Sequence, residues 1–245
     1  MSFVALKRYF LLSVSLPYDV SRSHSVGVKM RKVPLKTGHL YHILTKSIAD
    51  YRVFRTDDDF TRMVEMLRYY RYESPPLRFS LYKRCLEKRD SNLLLELPPK
   101  GLLVDIVTYC IIPTHIHLIL VQLKEEGIST FMKNLLNSYT RYFNMKNHRK
   151  GPLWQSRFKS ILIETREQLF HLTRFIHLNP VLHGLADRPE DWEYCSYSEY
   201  VDIAYSPVCK YRPYLEIDPQ TYKASLEDRK DYQRRLSEIK HLLLE

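Results

Sequence analysis

Hydrophobic and polar positions along the chain fall into segments of two distinct periods. GHLYHILTKS (38–47) is apolar-rich and β-like and predicts a first strand. From Thr56, TDDDFTRMVEMLRYYR has a capping residue, an acidic first turn, apolar residues at 60, 63, 64, 67 and 70, and basic residues late. That is the pattern of an amphipathic helix. Residues 73–100 read as an insertion with some helix, opened by ESPP and closed by LPPKG. LLVDIVTYCII (102–112) and THIHLILVQL (114–123) are β-branched-rich strands separated by Pro113, as in a hairpin or a bulged pair.

A long helix comes next at 127–147, with Ser129 or Thr130 as its expected cap, then a basic turn and a short strand, RFKSILIE (157–164). TREQLFHLTRFIHLNP (165–180) predicts a helix capped by Thr165. It is expected to end at Asn179, because Pro180 lacks an N–H and disfavours helical geometry before it. A Trp/Tyr-rich loop (192–200) and a charged stretch resembling a terminal helix complete the chain.

The order β-α-(insertion)-β-β-α-β-α predicts an α+β fold: a ferredoxin-like or RRM-like antiparallel sheet with helices on one face. The expected divisions are a leader at 1–29, a main domain at 30–200 with an insertion about 73–100, and a charged, partly helical tail at 201–245. Met30 is the expected natural start, with residues 1–29 poorly ordered or misassigned. The leader's apolar stretch is interrupted by a basic pair and lacks a clean small-residue cleavage site. No segment approaches the roughly 20 apolar residues of a membrane span.

Charge changes the picture more than composition does. The 245 residues carry 38 Lys+Arg against 28 Asp+Glu, a formal charge of +10, which suits a polyanionic partner. Nineteen tyrosines and ten phenylalanines could offer faces to nucleobases, although most belong in a core. Cysteines at 85, 110, 195 and 209 show no CxxC spacing, and a reduced cytoplasm is the expected setting.

Three stretches could carry chemistry. In THIHL, period-2 alternation puts His115 and His117 on one face of a strand, where they could share a divalent ion or be hydrogen-bonded core histidines. In RFIHLNP, Phe175 and Asn179 are four apart on one helical face. The Asn179 amide could supply a third ligand or merely end the helix, while His177 points elsewhere, toward a hydrogen bond or DNA. In residues 137–160, Arg141, Lys146, His148, Arg149, Lys150, Arg157 and Lys159 are interleaved with Tyr139, Tyr142, Phe143, Trp154 and Phe158. Cations among aromatics suit a phosphate backbone with unstacked bases, or else a solvated basic helix end over a core.

PTHIHLIL, then SYTRYFN, GPLWQSRFKSILIE and RFIHLNPVLHGL, resembles the HUH single-strand DNA transposases, in their REP-associated, IS200-like tyrosine transposase branch. The resemblance covers about residues 34–200. It implies cleavage and rejoining of single-stranded DNA near imperfect hairpins through a 5′-phosphotyrosine. It also implies Mg²⁺ or Mn²⁺ held by His115, His117 and Asn179. Arg141, Lys146, Arg149, Lys150, Trp154, Arg157 and Lys159 become the expected DNA contacts, and a homodimer is one assembly it allows. The nucleophile falls at Phe175, where the family has tyrosine.

Phenylalanine has no oxygen with which to attack phosphorus. Three readings stand open: an engineered substitution, a natural loss in a copy retained for binding, or a substitute nucleophile such as Tyr139 or Tyr142. The alternative to a strand-transfer enzyme is a non-catalytic hairpin or single-strand DNA-binding protein. A zinc hydrolase built on the histidine pair ranks below both, since no acidic residue stands at a suggestive spacing.

Overall fold

The computed structural model describes residues 34–88, 101–155, 157–201, 207–227 and 243. The chain divides into two units, Met1–Pro34 and Leu35–Glu245, and the second holds the sheet and the helices found among the described residues. The expected leader, part of the insertion and the charged tail beyond 227 lie almost entirely outside the described residues.

Four strands, β1 (Leu40–Lys46), β2 (Val104–Ile112), β3 (His115–Gln122) and β4 (Lys159–Ile163), form an antiparallel sheet ordered β2-β3-β1-β4. The first crossover contains α1 (Asp57–Tyr70) and α2 (Phe79–Glu87), the second α3 (Gly127–Lys146). After β4 come α4 (Arg166–Leu182), α5 (Tyr197–Val201) and α6 (Pro219–Glu227). This is the expected ferredoxin-like sheet, with α2 supplying the helix of the insertion.

The pleat divides the side chains of β3. Ile116, Leu118 and Leu120 point to one face, while His115, His117 and Ile119 point to the other. Gln122, in phase with the first set, accepts a hydrogen bond from the Ile128 N–H of α3 at 3.2 Å, and α1 packs along α3. Phe175 and His183 of the α4 segment touch the histidine rings. The helices between strands therefore share one face as expected, and α4 is added on the opposite one. Strands β2 and β3 are buried along their whole length because each face has a cover.

The outer edge of β2 is also paired. Ile111 donates to the Tyr194 carbonyl (2.9 Å), Ser196 to Tyr109 (2.9 Å) and Lys210 to Ile106 (2.8 Å). The Trp/Tyr-rich loop thus caps what would be a bare row of backbone groups.

Helix starts obey local chemistry in two cases and tertiary chemistry in one. The Asp59 carboxylate accepts from the backbone N–H of Arg55 and of Thr56, closing the first turn of α1. Thr165 and Gln168 form a reciprocal capping box on α4. The third helix does not begin at Ser129 or Thr130. It starts at Gly127 behind Glu126 in left-handed geometry, and Gln122, at the end of β3, takes the first-turn N–H. A Cβ on Gly127 would stand 2.4 Å from the Leu103 carbonyl oxygen, so only glycine lets the helix approach this closely.

Helix α4 does not stop at Asn179 either. It runs through Pro180 to Leu182 and closes after His183 with Gly184 at φ +63°. Leu185 donates to the Pro180 carbonyl and Gly184 to Val181, the paired bonds of a Schellman turn. Proline removes one bond, to the Ile176 carbonyl, and the Cys195 thiol lies 4.0 Å from that oxygen as a weak replacement. The further turn carries His183 to the sheet.

On another side of the same helix, His177 is buried between the Tyr222 hydroxyl (2.6 Å) and Ser196 Oγ (2.8 Å). Burial holds its imidazole neutral, with a pKa lowered to about 3. It is a structural hydrogen-bonding residue and does not face a DNA surface.

Two measurements test this framework. Glycine to alanine in an exposed helix normally stabilises by about 1 kcal/mol. Gly127→Ala should instead destabilise, by roughly 1–3 kcal/mol in urea unfolding, because the new methyl meets backbone. The second concerns Asp59, which is nearly fully buried and bonded to Lys146 (2.7 Å) and the Tyr142 hydroxyl (2.9 Å). Burial pushes its carboxyl up, but the hydrogen bonds from Lys146, Arg55 and Tyr142 outweigh it and leave the pKa below 3.8. Its contribution is therefore full above about pH 4 and is lost as pH falls through the lowered folded value. Asp59→Asn should cost about 2–3 kcal/mol at pH 7, and the gap to the parent should narrow in acid.

Candidate functional site

The site is built on the histidine face of β3. Register places His117 between Leu44 of β1 and Cys110 of β2, and His115 between Lys46 and Ile112. Lys159 of β4 pairs with Leu44, so it lies in the same row as His117, one strand further out. All four positions of the row, Cys110, His117, Leu44 and Lys159, share one face.

Both histidines are buried, His115 3 % exposed and His117 fully. Their ring centroids are 5.0 Å apart at 76°. His117 Nδ1 is 2.9 Å from Nε2 of His42, a β1 residue on the same face and diagonal to it. The His42 and His117 rings lie side by side in nearly one plane, with centroids 5.2 Å apart and planes at 15°. His115 Nδ1 lies 3.0 Å from Thr114 Oγ1. In both histidines Nδ1 is thereby engaged, and the Nε2 atoms lie buried within the site.

Helix α4 closes the site with a single stripe. Phe175, Asn179 and His183 are spaced i, i+4, i+8 on one face. The Phe175 ring, 2 % exposed, meets His117 edge-on at 5.7 Å and 88°. His183 meets His115 at 5.2 Å and 72°. With its ends on the two rings, the stripe holds the fully buried Asn179 between them, and its Oδ1 is likewise buried. The structure therefore brings together His115, His117, Phe175 and Asn179, and adds His42 and His183.

The basic residues and Trp154 separate into three groups. Lys146 is bound to Asp59, Thr56 and Tyr142, and Arg149 donates to Asn144 Oδ1 and the Pro152 carbonyl. Trp154 donates to Thr140 Oγ1 and packs on Phe54 and Tyr139. These three are committed to the fold. Arg141 and Lys150 are exposed. Arg157 and Lys159 join Leu44, Thr45, Lys46 and Gln155 around a shallow, solvent-open notch of about 260 Å³ beside that row.

Neither tyrosine on α3 reaches the site. Tyr139 is buried with its hydroxyl on the Val53 carbonyl at 2.7 Å, and burial pushes its pKa far up. Tyr142 donates to Asp59. Both stand across the sheet from the histidine pair. Among the described residues, no three His, Cys, Asp or Glu side chains are grouped to hold a metal, so a third protein donor would be the Asn179 amide.

Sequence reasoning missed His42, His183 and Lys46. The alternation in LYHILTK puts His42 in phase with Leu44 and Lys46, which is the signal that could have found it. His183 is hidden by the proline that was expected to end the helix.

Comparison with known proteins gives a consistent assignment. Residues 78–179 match the family model described as Transposase IS200 like. A Haemophilus influenzae protein assigned as a REP-associated tyrosine transposase is 32 % identical over 114 residues, covering 42 % of this chain and 64 % of that protein. The REP-associated tyrosine transposase of Escherichia coli (strain K12) is 24 % identical over 105 residues, covering 42 % of this chain and 61 % of that one. The chain thus spans a little under two thirds of the length of these curated relatives.

A solved REP-associated tyrosine transposase bound to a REP hairpin superposes with a TM-score of 0.46 and 19 % identity, covering 78 % of this chain and 92 % of that one. No helix among the described residues is long and apolar enough to cross a membrane. The stretch that matches the IS200-like transposase model runs from the insertion helix to the last turn of α4, and this chain is similar to that family there.

Proposed function

We propose that this protein binds single-stranded DNA beside an imperfect hairpin, in a metal site of the strand-cleaving type, and does not cut through residue 175. The observation that carries this reading is the α4 stripe, which sets the phenyl ring of Phe175 against His117 at 5.7 Å. The position that would deliver a nucleophile is filled, buried and without an oxygen.

Nε2 of His115, Nε2 of His117 and Oδ1 of Asn179 make a mixed nitrogen and oxygen donor set. Such a set suits Mn²⁺, and Mg²⁺ less well, with water and phosphate oxygens completing the shell. A divalent ion held there would polarise the scissile phosphate and neutralise charge developing on its oxygens. Lys46, Arg157 and Lys159 flank the row and would hold neighbouring phosphates. Four free, buried cysteines agree with a reducing cytoplasm. A non-catalytic hairpin binder is the functional outcome for this chain, on a scaffold that in its relatives is described as a transposase.

With tyrosine at 175, the phenolic oxygen would form a bond to phosphorus while the bond from phosphorus to O3′ breaks. The phenolic proton passes to the departing 3′ oxygen, leaving a 5′-phosphotyrosine and a 3′-OH.

A labelled hairpin oligonucleotide with a single-stranded 5′ flank, incubated with Mn²⁺ and run on a denaturing gel, tests this. The parent should give no covalent adduct. Phe175→Tyr should give one that disappears with His115→Ala/His117→Ala. An adduct from the parent would refute the binding-only reading, and mapping it would identify the attacking residue. Binding should also weaken linearly in log Kd against log salt. Arg157→Gln/Lys159→Gln should reduce that slope by about 1–2, as expected for one or two lost phosphate contacts, whereas Lys146→Gln should leave it unchanged.

A further inference from the structure

A neutral imidazole carries one N–H, and only its bare nitrogen can take a metal. The Nδ1 of His117 and the Nε2 of His42 are 2.9 Å apart, so one proton lies between them. If His42 supplies that proton, His117 is protonated at Nε2 and cannot be a ligand through that atom. If His117 supplies it, Nε2 of His117 carries the lone pair.

We propose that His42 is a positioning residue that accepts the Nδ1 proton of His117 and so holds His117 in its metal-ligating tautomer. The inference rests on the metal site proposed above and names the residue that prepares it.

Three observations carry it. Both side chains are fully buried, so water does not compete for the shared proton. The two rings lie side by side in nearly one plane (centroids 5.2 Å apart, planes 15° apart), as an in-line N–H···N bond needs, and Phe175 abuts His117 edge-on, so the His117 ring cannot turn over without displacing a neighbour. The backbone support is rigid. His42 sits in mid-β1, its Cα partnered with Ile119 on one side and Ile161 on the other, diagonal to His117 across a continuous ladder.

The contrast with His115 is informative. The partner of its Nδ1 is Thr114 Oγ1 at 3.0 Å, a hydroxyl that can donate or accept by rotating. That contact leaves the tautomer of His115 undetermined. The two ligands would therefore differ: His117 is prepared by the fold, and His115 adjusts when the ion arrives. Outer hydrogen-bond partners of ligating histidines typically change metal affinity by about 10- to 100-fold.

The test uses the full-length protein, Mn²⁺ titrated by EPR, and the His117 tautomer read by long-range ¹H–¹⁵N NMR without metal. Two variants separate the roles of ring and acceptor. His42→Phe keeps an aromatic ring at the position and removes the acceptor, while His42→Gln keeps an acceptor on a flexible arm. His117 should be Nδ1–H in the parent. His42→Phe should weaken Mn²⁺ binding about 10- to 100-fold and shift His117 toward Nε2–H, and His42→Gln should recover most of both. His117 remaining Nδ1–H in His42→Phe, or standing as Nε2–H in the parent, would overturn the positioning role. A parent that binds no Mn²⁺ would instead overturn the metal site itself, since the tautomer readout needs no metal. Should His42→Phe fail to fold, the parent spectrum and His42→Gln still decide.

Discussion

Burying two imidazoles on the central strand of a sheet is the constraint around which this protein is arranged. Each ring has polar nitrogens that lose water, and each such loss costs of order 1–3 kcal/mol unless a partner replaces it. An ordinary ferredoxin-like sheet leaves one face open, where histidines could stay wet. Here α4 crosses that face, and the rings must be met by protein. His42 meets one from within the sheet, Thr114 meets the other from the hairpin turn, and the α4 stripe lies over both. The remaining features of the histidine face serve to keep that helix in place: the capping box at Thr165, the Schellman turn at Gly184, and the buried bonds of His177 to Tyr222 and Ser196.

What was legible in the sequence is what depends on neighbours along the chain. Apolar and β-branched runs located β1, β2 and β3, and alternation put His115 and His117 on one face. Thr56 and Thr165 marked the starts of α1 and α4. What was not legible depends on residues far away. Pro180 is tolerated inside α4 because Cys195 and a closing Schellman turn serve the carbonyls around it. Helix α3 begins at Gly127 because Gln122 and the Leu103 carbonyl meet its first turn. The His42–His117 contact spans 75 positions and has no local signature.

The basic segment shows the same limit on charge. Interleaved cations and aromatics look alike whether they face a phosphate or a carboxylate. Lys146 faces Asp59, from the other crossover, and Arg149 ties down its own turn. Lys159 stands in the histidine row, and Arg157 lines the notch beside it. Net charge thus indicates the class of partner, but only the strand register shows which cations share the site.

The phenyl ring at 175 has an effect on the resting protein that is separate from chemistry. A tyrosine at this nearly sealed position would bring a hydroxyl into a space now closed by apolar contact with His117. Buried there, that hydroxyl would need a partner or water. Phenylalanine removes that demand. A single oxygen atom thus decides whether the centre of this face must supply a partner for a buried hydroxyl, and in this chain it need not.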